Sequence, residues 1–258
     1  MIIYFILFIL FKSEKMSCQP SLEFLNTTND YLHLKPINTA DGYLHLLRTI
    51  DHEELKKYLR EHDIIDTDDK IKSEKNFFAK VLSGQIPNYP NRLIDTINSL
   101  REGTDELASY FKTRHENTCG CPVKEKYFVA INLPEHDKNW ESNDVHWVGK
   151  ASMSKFHQFL LIKDLNWKYF NALAFDTDML PIIKEMKEVA TNYAKSQGVE
   201  NVGLYFHVYP HTTIQCLHLH IIDLDNVGPS YHALQYKNLS IDDVIETLRD
   251  LQLISQVD

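Results

Sequence analysis

The chain has 258 residues, 43% of them hydrophobic and 24% charged, which are ordinary proportions for a globular protein. Its formal net charge is −9 and no block of lysine or arginine stands out, so the basic face that a general nucleic-acid binder needs is excluded. The length suits one large α+β domain or a compact domain with a helical extension.

The first twelve residues, "MIIYFILFILFK", form an apolar run too short for a bilayer, which needs about 20 apolar residues. No positive residue precedes it and no small-x-small cleavage site follows, so it does not read as a signal peptide. Residues 1–15 are therefore read as an extension ahead of a start at Met16. The expected location is the cytoplasm, with the nucleus also open, and no membrane partner is expected. Cys18, Cys119, Cys121 and Cys216 are too scattered for a disulfide framework. "CGC" at 119–121, with His115 nearby, lacks the second pair of ligands that a zinc knuckle has.

Residues 16–115 read as mostly helical. "DGYLHLLRTIDHEELKKYLREHD" (41–63) carries apolar residues at helical intervals, with Asp51 as an N-cap for its second part. "RLIDTINSLREGTDELASYFKTRH" (92–115) sets Leu93, Ile97 and Leu100 on one face before Gly103 interrupts it. From residue 116 to 258 the period changes. Short β-rich runs lie at 126–133, 158–165, 202–209 and 214–224. Between the second and third runs, Pro181 and Gly198 bracket an amphipathic helix. A last helix follows Ser240 as N-cap, with Asp242 and Asp243 in its first turn. The order suggests an antiparallel sheet with a helix on its face.

The last run, "IQCLHLHIID" (214–223), holds the chemistry. In a strand, alternation puts Cys216, His218 and His220 on one face and Leu217, Leu219 and Ile221 on the other. Three readings fit that pattern. His218 is a nucleophile toward phosphorus. Or His218 and His220 chelate a metal, with His211, Asp223 or His157 as third ligand. Or both are hydrogen-bonded core histidines. Trp140, Trp147 and Trp167 are candidates for stacking on a purine, or for the core.

The surrounding stretch, "LYFHVYPHTTIQCLHLHIID", resembles the histidine-triad superfamily, whose signature alternates three histidines with apolar residues. It is most similar to the branch of scavenger mRNA decapping enzymes and aprataxin, in which a Phe-His strand, a proline-containing turn and the triad strand follow one another. "SKFHQFLLIKD" (154–164) resembles a second strand of that family. "GPSYHALQYKNLSIDDVIETL" (228–248) is loosely similar to its closing helix, and "FFAKVLSGQIP" (77–87) to the first helix of small members.

The resemblance implies an α+β fold, an antiparallel sheet with flanking helices, and makes 116–258 a nucleotide-binding catalytic domain. It implies cleavage of a nucleoside polyphosphate, or of a cap-like dinucleotide at its pyrophosphate bond, through a covalent nucleotide on His218. His220 and Cys216 would complete the catalytic face, and His157, His207, Thr213 and Lys163 would bind substrate. No cofactor or metal is implied. The expected partner is a small nucleotide rather than a nucleic-acid duplex, and the family's habit makes a homodimer an open expectation.

This chain departs from the pattern at Cys216, where the family has its first histidine. That departure motivates a second reading, a catalytically impaired nucleotide-binding module. A metal-dependent hydrolase built on His218 and His220 is a third.

Overall fold

The computed structural model describes residues 40–73, 79–80, 126–208 and 216–256. The extension 1–15, the stretch 92–115, Cys18, Cys119, Cys121, His115, His211 and Thr213 lie outside the described residues, as does the stretch 77–87 apart from Ala79 and Lys80.

The amphipathic stretch near residue 50 divides into two helices, α1 (Ala40–Thr49) and α2 (His52–Glu61). Asp51 makes the division. Its extended backbone ends one helix and its Oδ1 accepts from the N–H groups of Glu53 (2.9 Å) and Glu54 (3.1 Å), two otherwise unpaired donors of the next first turn. α1 buries Tyr43 and Leu46, α2 buries Leu55 and Leu59, and these belong to the same apolar cluster as the sheet's Leu160, Phe206 and Leu219.

Five antiparallel strands follow: β1 (Tyr127–Ile131), β2 (His157–Ile162), β3 (Val202–His207), β4 (His218–Asp223) and β5 (Asn238–Ser240), in the order β1-β2-β4-β3-β5. With the helices packed around them, they make the α+β, histidine-triad-like architecture. β5 was not expected. Its three residues are too few to show an alternation, and Ser240 doubles as the N-cap of the next helix.

The register decides which side chains share a face. Phe159 lies opposite His220, Leu161 opposite His218, Tyr205 opposite His220 and His207 opposite Asn238. One face therefore carries His157, Phe159, His218, His220, Tyr205, His207 and Asn238. The other carries Leu160, Leu204, Phe206, Leu219, Ile221 and Leu239.

The long helix α4 (Leu180–Ser196) follows a short α3 (Pro134–Lys138), and it covers the apolar face. Ile183, Met186, Ala190 and Tyr193 of α4 are buried, and the Tyr193 hydroxyl donates to Gln158 Oε1 (2.7 Å). Its end follows the expected stop: Gly198 is left-handed at φ +81°. α5 (Pro229–Leu234) precedes β5, and α6 (Ile241–Ile254) closes the chain. Ser240 Oγ accepts from Asp242 N (3.2 Å) at the start of α6. α6 packs against α1 and α4, and the ion pair Lys187–Asp242 ties it to α4. No helix among the described residues is long and apolar enough to cross a membrane.

The loop before β2 and the start of α5 meet at one tight contact. Gly228 N–H donates to the Met153 carbonyl (2.8 Å), and a Cβ on Gly228 would fall 2.0 Å from the Trp140 carbonyl oxygen. Gly228 has an ordinary extended backbone (φ −103°, ψ 177°), so space, not conformation, demands the glycine. Gly228→Ala is expected to destabilise the fold by about 1–3 kcal/mol or more, because a backbone atom must move. Thermal unfolding checks this; an unchanged melting temperature would contradict it.

Candidate active site

The site is built on the histidine face of the sheet, and its geometry begins in the segment 151–154. Ala151, Ser152, Met153 and Ser154 are all buried. Ser152 Oγ accepts from Asn132 Nδ2 (2.9 Å) and donates to Asp137 (2.5 Å), and Ser154 Oγ accepts from Asp223 N (3.1 Å). These bonds hold the Met153 peptide still, and its N–H donates to His157 Nδ1 (3.1 Å).

That bond has a consequence two rings away. With Nδ1 accepting, neutral His157 carries its proton on Nε2, which lies 2.9 Å from His220 Nδ1 and donates to it. His220 in turn carries its proton on Nε2. This atom is buried and has no hydrogen-bond partner among the described residues. A backbone amide thus presents, through two imidazoles, one desolvated N–H to the site.

His218 has the opposite tautomer. Its Nδ1–H donates to the backbone carbonyl of Cys216 (2.8 Å), which leaves Nε2 unprotonated. The carbonyl is available because the chain has not yet joined the sheet: β4 begins at His218, and Leu217 N–H donates to the Tyr169 carbonyl (2.7 Å) instead of a ladder partner. The alternation expected across 214–224 therefore does not include Cys216 as a strand residue. Its thiol is 2% exposed within the apolar core, and burial pushes its pKa up to about 12. Cys216 contributes to the site through its carbonyl oxygen, an atom that every residue type possesses.

His207 lies on β3 with its ring 3.8 Å from that of His220. Its Nε2–H donates to Asn238 Oδ1 (2.7 Å), and its own carbonyl accepts from Asn171 Nδ2 (3.2 Å). Phe159 fills the floor between the rings, edge-on to His218 (5.8 Å) and His220 (5.0 Å).

This packing sets the electrostatics. Burial lowers the pKa of His157 to about 3 and of His218 to about 4, and holds His207 and His220 well below the usual histidine range. Mutual repulsion among the rings adds to burial at His157, His207 and His220, and the ammonium of Lys237 adds to it at His207, His218 and His220. All four imidazoles are neutral near pH 7. Such a cluster offers one unprotonated ring nitrogen at His218 and one unpartnered N–H donor at His220, the complement a phosphoryl centre requires of a nucleophile and a charge acceptor. Among the described residues, no group of three or more histidine, cysteine or acidic side chains is arranged to hold a metal ion.

His157, His207, His218 and His220 thus come together, while Thr213 is outside the described residues. Lys163 follows the last residue of β2 at the His218 end, and its N–H donates to the Lys126 carbonyl (2.8 Å). The tryptophans have packing partners. Trp167 is buried edge-on to His52, with Lys56 over its ring (5.1 Å), and Trp147 lies edge-on to His136 and His146. Sequence reasoning missed Met153, Phe159, Lys237 and Asn238. The first acts through its backbone and the last through a strand too short to announce itself; only Phe159 carried a signal, being two residues after His157 on the same face.

Comparison with known proteins finds similarity over part of the chain. No curated protein matches the sequence. A family model described as the scavenger mRNA decapping enzyme C-terminal binding region matches residues 141–234, less than half of the chain. The matched stretch runs from the loop before β2 to the end of α5, so it contains all four histidines and stops short of Lys237 and Asn238. Over these residues the protein is similar to the histidine-triad-like C-terminal part of scavenger decapping enzymes.

Proposed function

We propose that this protein cleaves a nucleoside polyphosphate, or a cap-like dinucleotide, at a pyrophosphate bond through a covalent nucleotide on His218. The observation that carries the reading is the bond from His218 Nδ1–H to the Cys216 carbonyl. It holds the ring so that Nε2 has a lone pair to give, and it stabilises the positive charge the ring acquires once Nε2 is bonded to phosphorus.

In the first step Nε2 attacks phosphorus, the P–N bond forms, and the P–O bond to the leaving phosphate breaks with its electron pair. In the second, water attacks the same phosphorus, loses a proton to solvent or product, and releases a nucleoside monophosphate while the pair returns to Nε2. Negative charge on the non-bridging oxygens meets the Nε2–H of His220. His157 acts as a positioning residue, since both of its ring nitrogens are engaged within the protein. His207, Lys163 and Thr213 are assigned to substrate contact. The similarity of residues 141–234 to scavenger decapping enzymes favours a cap-like ligand among the candidates.

The test is to trap the adduct. Cap analogue, diadenosine polyphosphate and nucleoside phosphoramidate are each mixed with the protein, quenched, and the His218 peptide weighed. A nucleotidyl mass on His218 that disappears in His218→Asn is the expected result. Product or adduct from none of the three, with micromolar nucleotide binding retained, would replace the enzyme by a binding module.

Because the carbonyl and not the thiol orients His218, Cys216→Ala is expected to keep adduct formation within about tenfold of the native rate, a change of about 1.4 kcal/mol or less. Loss as complete as in His218→Asn would contradict that role.

The pH dependence follows from the buried ring. His218 reacts only when neutral, and its pKa falls from 6.5 to about 4, so the active form persists as pH drops and is lost only when pH passes through the lowered value. Rates of adduct formation should be level between about pH 5.5 and 8 and fall by half near pH 4. Half-loss near pH 6.5 would show a solvated imidazole instead.

A further inference from the structure

β5 brings a second unpartnered donor to the histidine face. Asn238 is 7% exposed, its Oδ1 accepts from His207 Nε2–H (2.7 Å), and its buried Nδ2 has no hydrogen-bond partner among the described residues. A donor so buried costs about 1–3 kcal/mol while it stays unmet, which favours an acceptor that binds there. The same holds for His220 Nε2, whose ring touches the ring that Asn238 holds. The two buried donors therefore flank His207, one on each neighbouring strand. Beside them Lys237 is half-buried, and its charge is felt at His207, His218 and His220.

We propose that Asn238 and Lys237 form the outer half of a phosphate site, extending from His220 across His207 to β5. The inference rests on the nucleotide reading above and adds to it the residues that meet the phosphates beyond the one attacked. The sheet supplies the length. Asn238 lies two strands from His218, about 10 Å at the usual strand spacing. A single phosphate over His218 and His220 does not reach β5, whereas the second and third phosphates of a triphosphate or a capped dinucleotide do. Their oxygens take the Nδ2–H groups of Asn238 and the ammonium of Lys237, and this holds the leaving side of the ligand in line with His218. Both residues lie beyond the segment similar to scavenger decapping enzymes.

Two substitutions at Asn238 separate phosphate recognition from mere support of His207. Asn238→Asp keeps an acceptor for His207 Nε2–H but removes the Nδ2 donors and adds a negative charge; Asn238→Ala removes both functions. Calorimetric titration with guanosine and adenosine mono- and triphosphates is the measurement. The native protein is expected to prefer triphosphate over monophosphate by about tenfold or more, the effect of a hydrogen bond to a charged group. Triphosphate affinity should fall in the order native, Asn238→Ala, Asn238→Asp, with monophosphate affinity little changed by the aspartate. An aspartate variant as selective as the native protein, with the alanine variant the weaker of the two, would reduce Asn238 to a support for His207 and overturn the proposal. Should the aspartate variant not fold, Lys237→Gln carries the same test, and an unchanged triphosphate preference in it overturns the proposal equally. A native protein that forms the His218 adduct but shows no preference for longer phosphate chains removes this inference alone. A preference without any adduct supports it while removing the covalent reading.

Discussion

One hydrogen bond organises the chemistry of this face: the Nδ1–H of His218 donates to the carbonyl oxygen of Cys216. Without it the ring could turn, or carry its proton on Nε2 instead. The bond exists because the chain enters the sheet only at His218, after Leu217 has given its N–H to Tyr169. What the site takes from position 216 is a main-chain oxygen, an atom that does not depend on the residue type there.

A second chain of bonds does for His220 what the carbonyl does for His218. The amide of Met153, fixed by the buried loop around it, sets His157, and His157 sets His220. The two neighbouring histidines of β4 consequently hold opposite tautomers, one presenting a lone pair and the other a proton. Burial keeps both neutral, with Phe159 between the rings and the apolar face of the sheet sealed by α4. The helices outside the matched segment also bear on the site. α1 packs on β5 and on the short turn of helix that carries Lys237, and Asn171 holds the backbone of His207.

Much of this architecture was legible in the residues. Alternation located four strands to within a few positions, and Pro181, Gly198, Asp51 and Ser240 each marked a helix boundary by a mechanism that the structure displays. The grouping of His157, His207, His218 and His220 also followed from strand pattern and family resemblance. What could not be read was carried by atoms without a side-chain signature. The Cys216 carbonyl and the Met153 amide are main-chain groups, and their roles arise from where the chain bends. β5 was hidden because three residues do not show a period, and with it the partner of His207. The pairing of His157 with His220 needed the register of β2 on β4, since the two are far apart in the chain.

The tautomers are the claim on which the mechanism stands, and nitrogen NMR of the imidazole rings reads them directly. In long-range proton–nitrogen spectra of labelled protein near pH 7, His218 should appear as the neutral Nδ1–H form, and His157 and His220 as the neutral Nε2–H form. A His218 ring protonated on Nε2, or charged at that pH, would contradict the account.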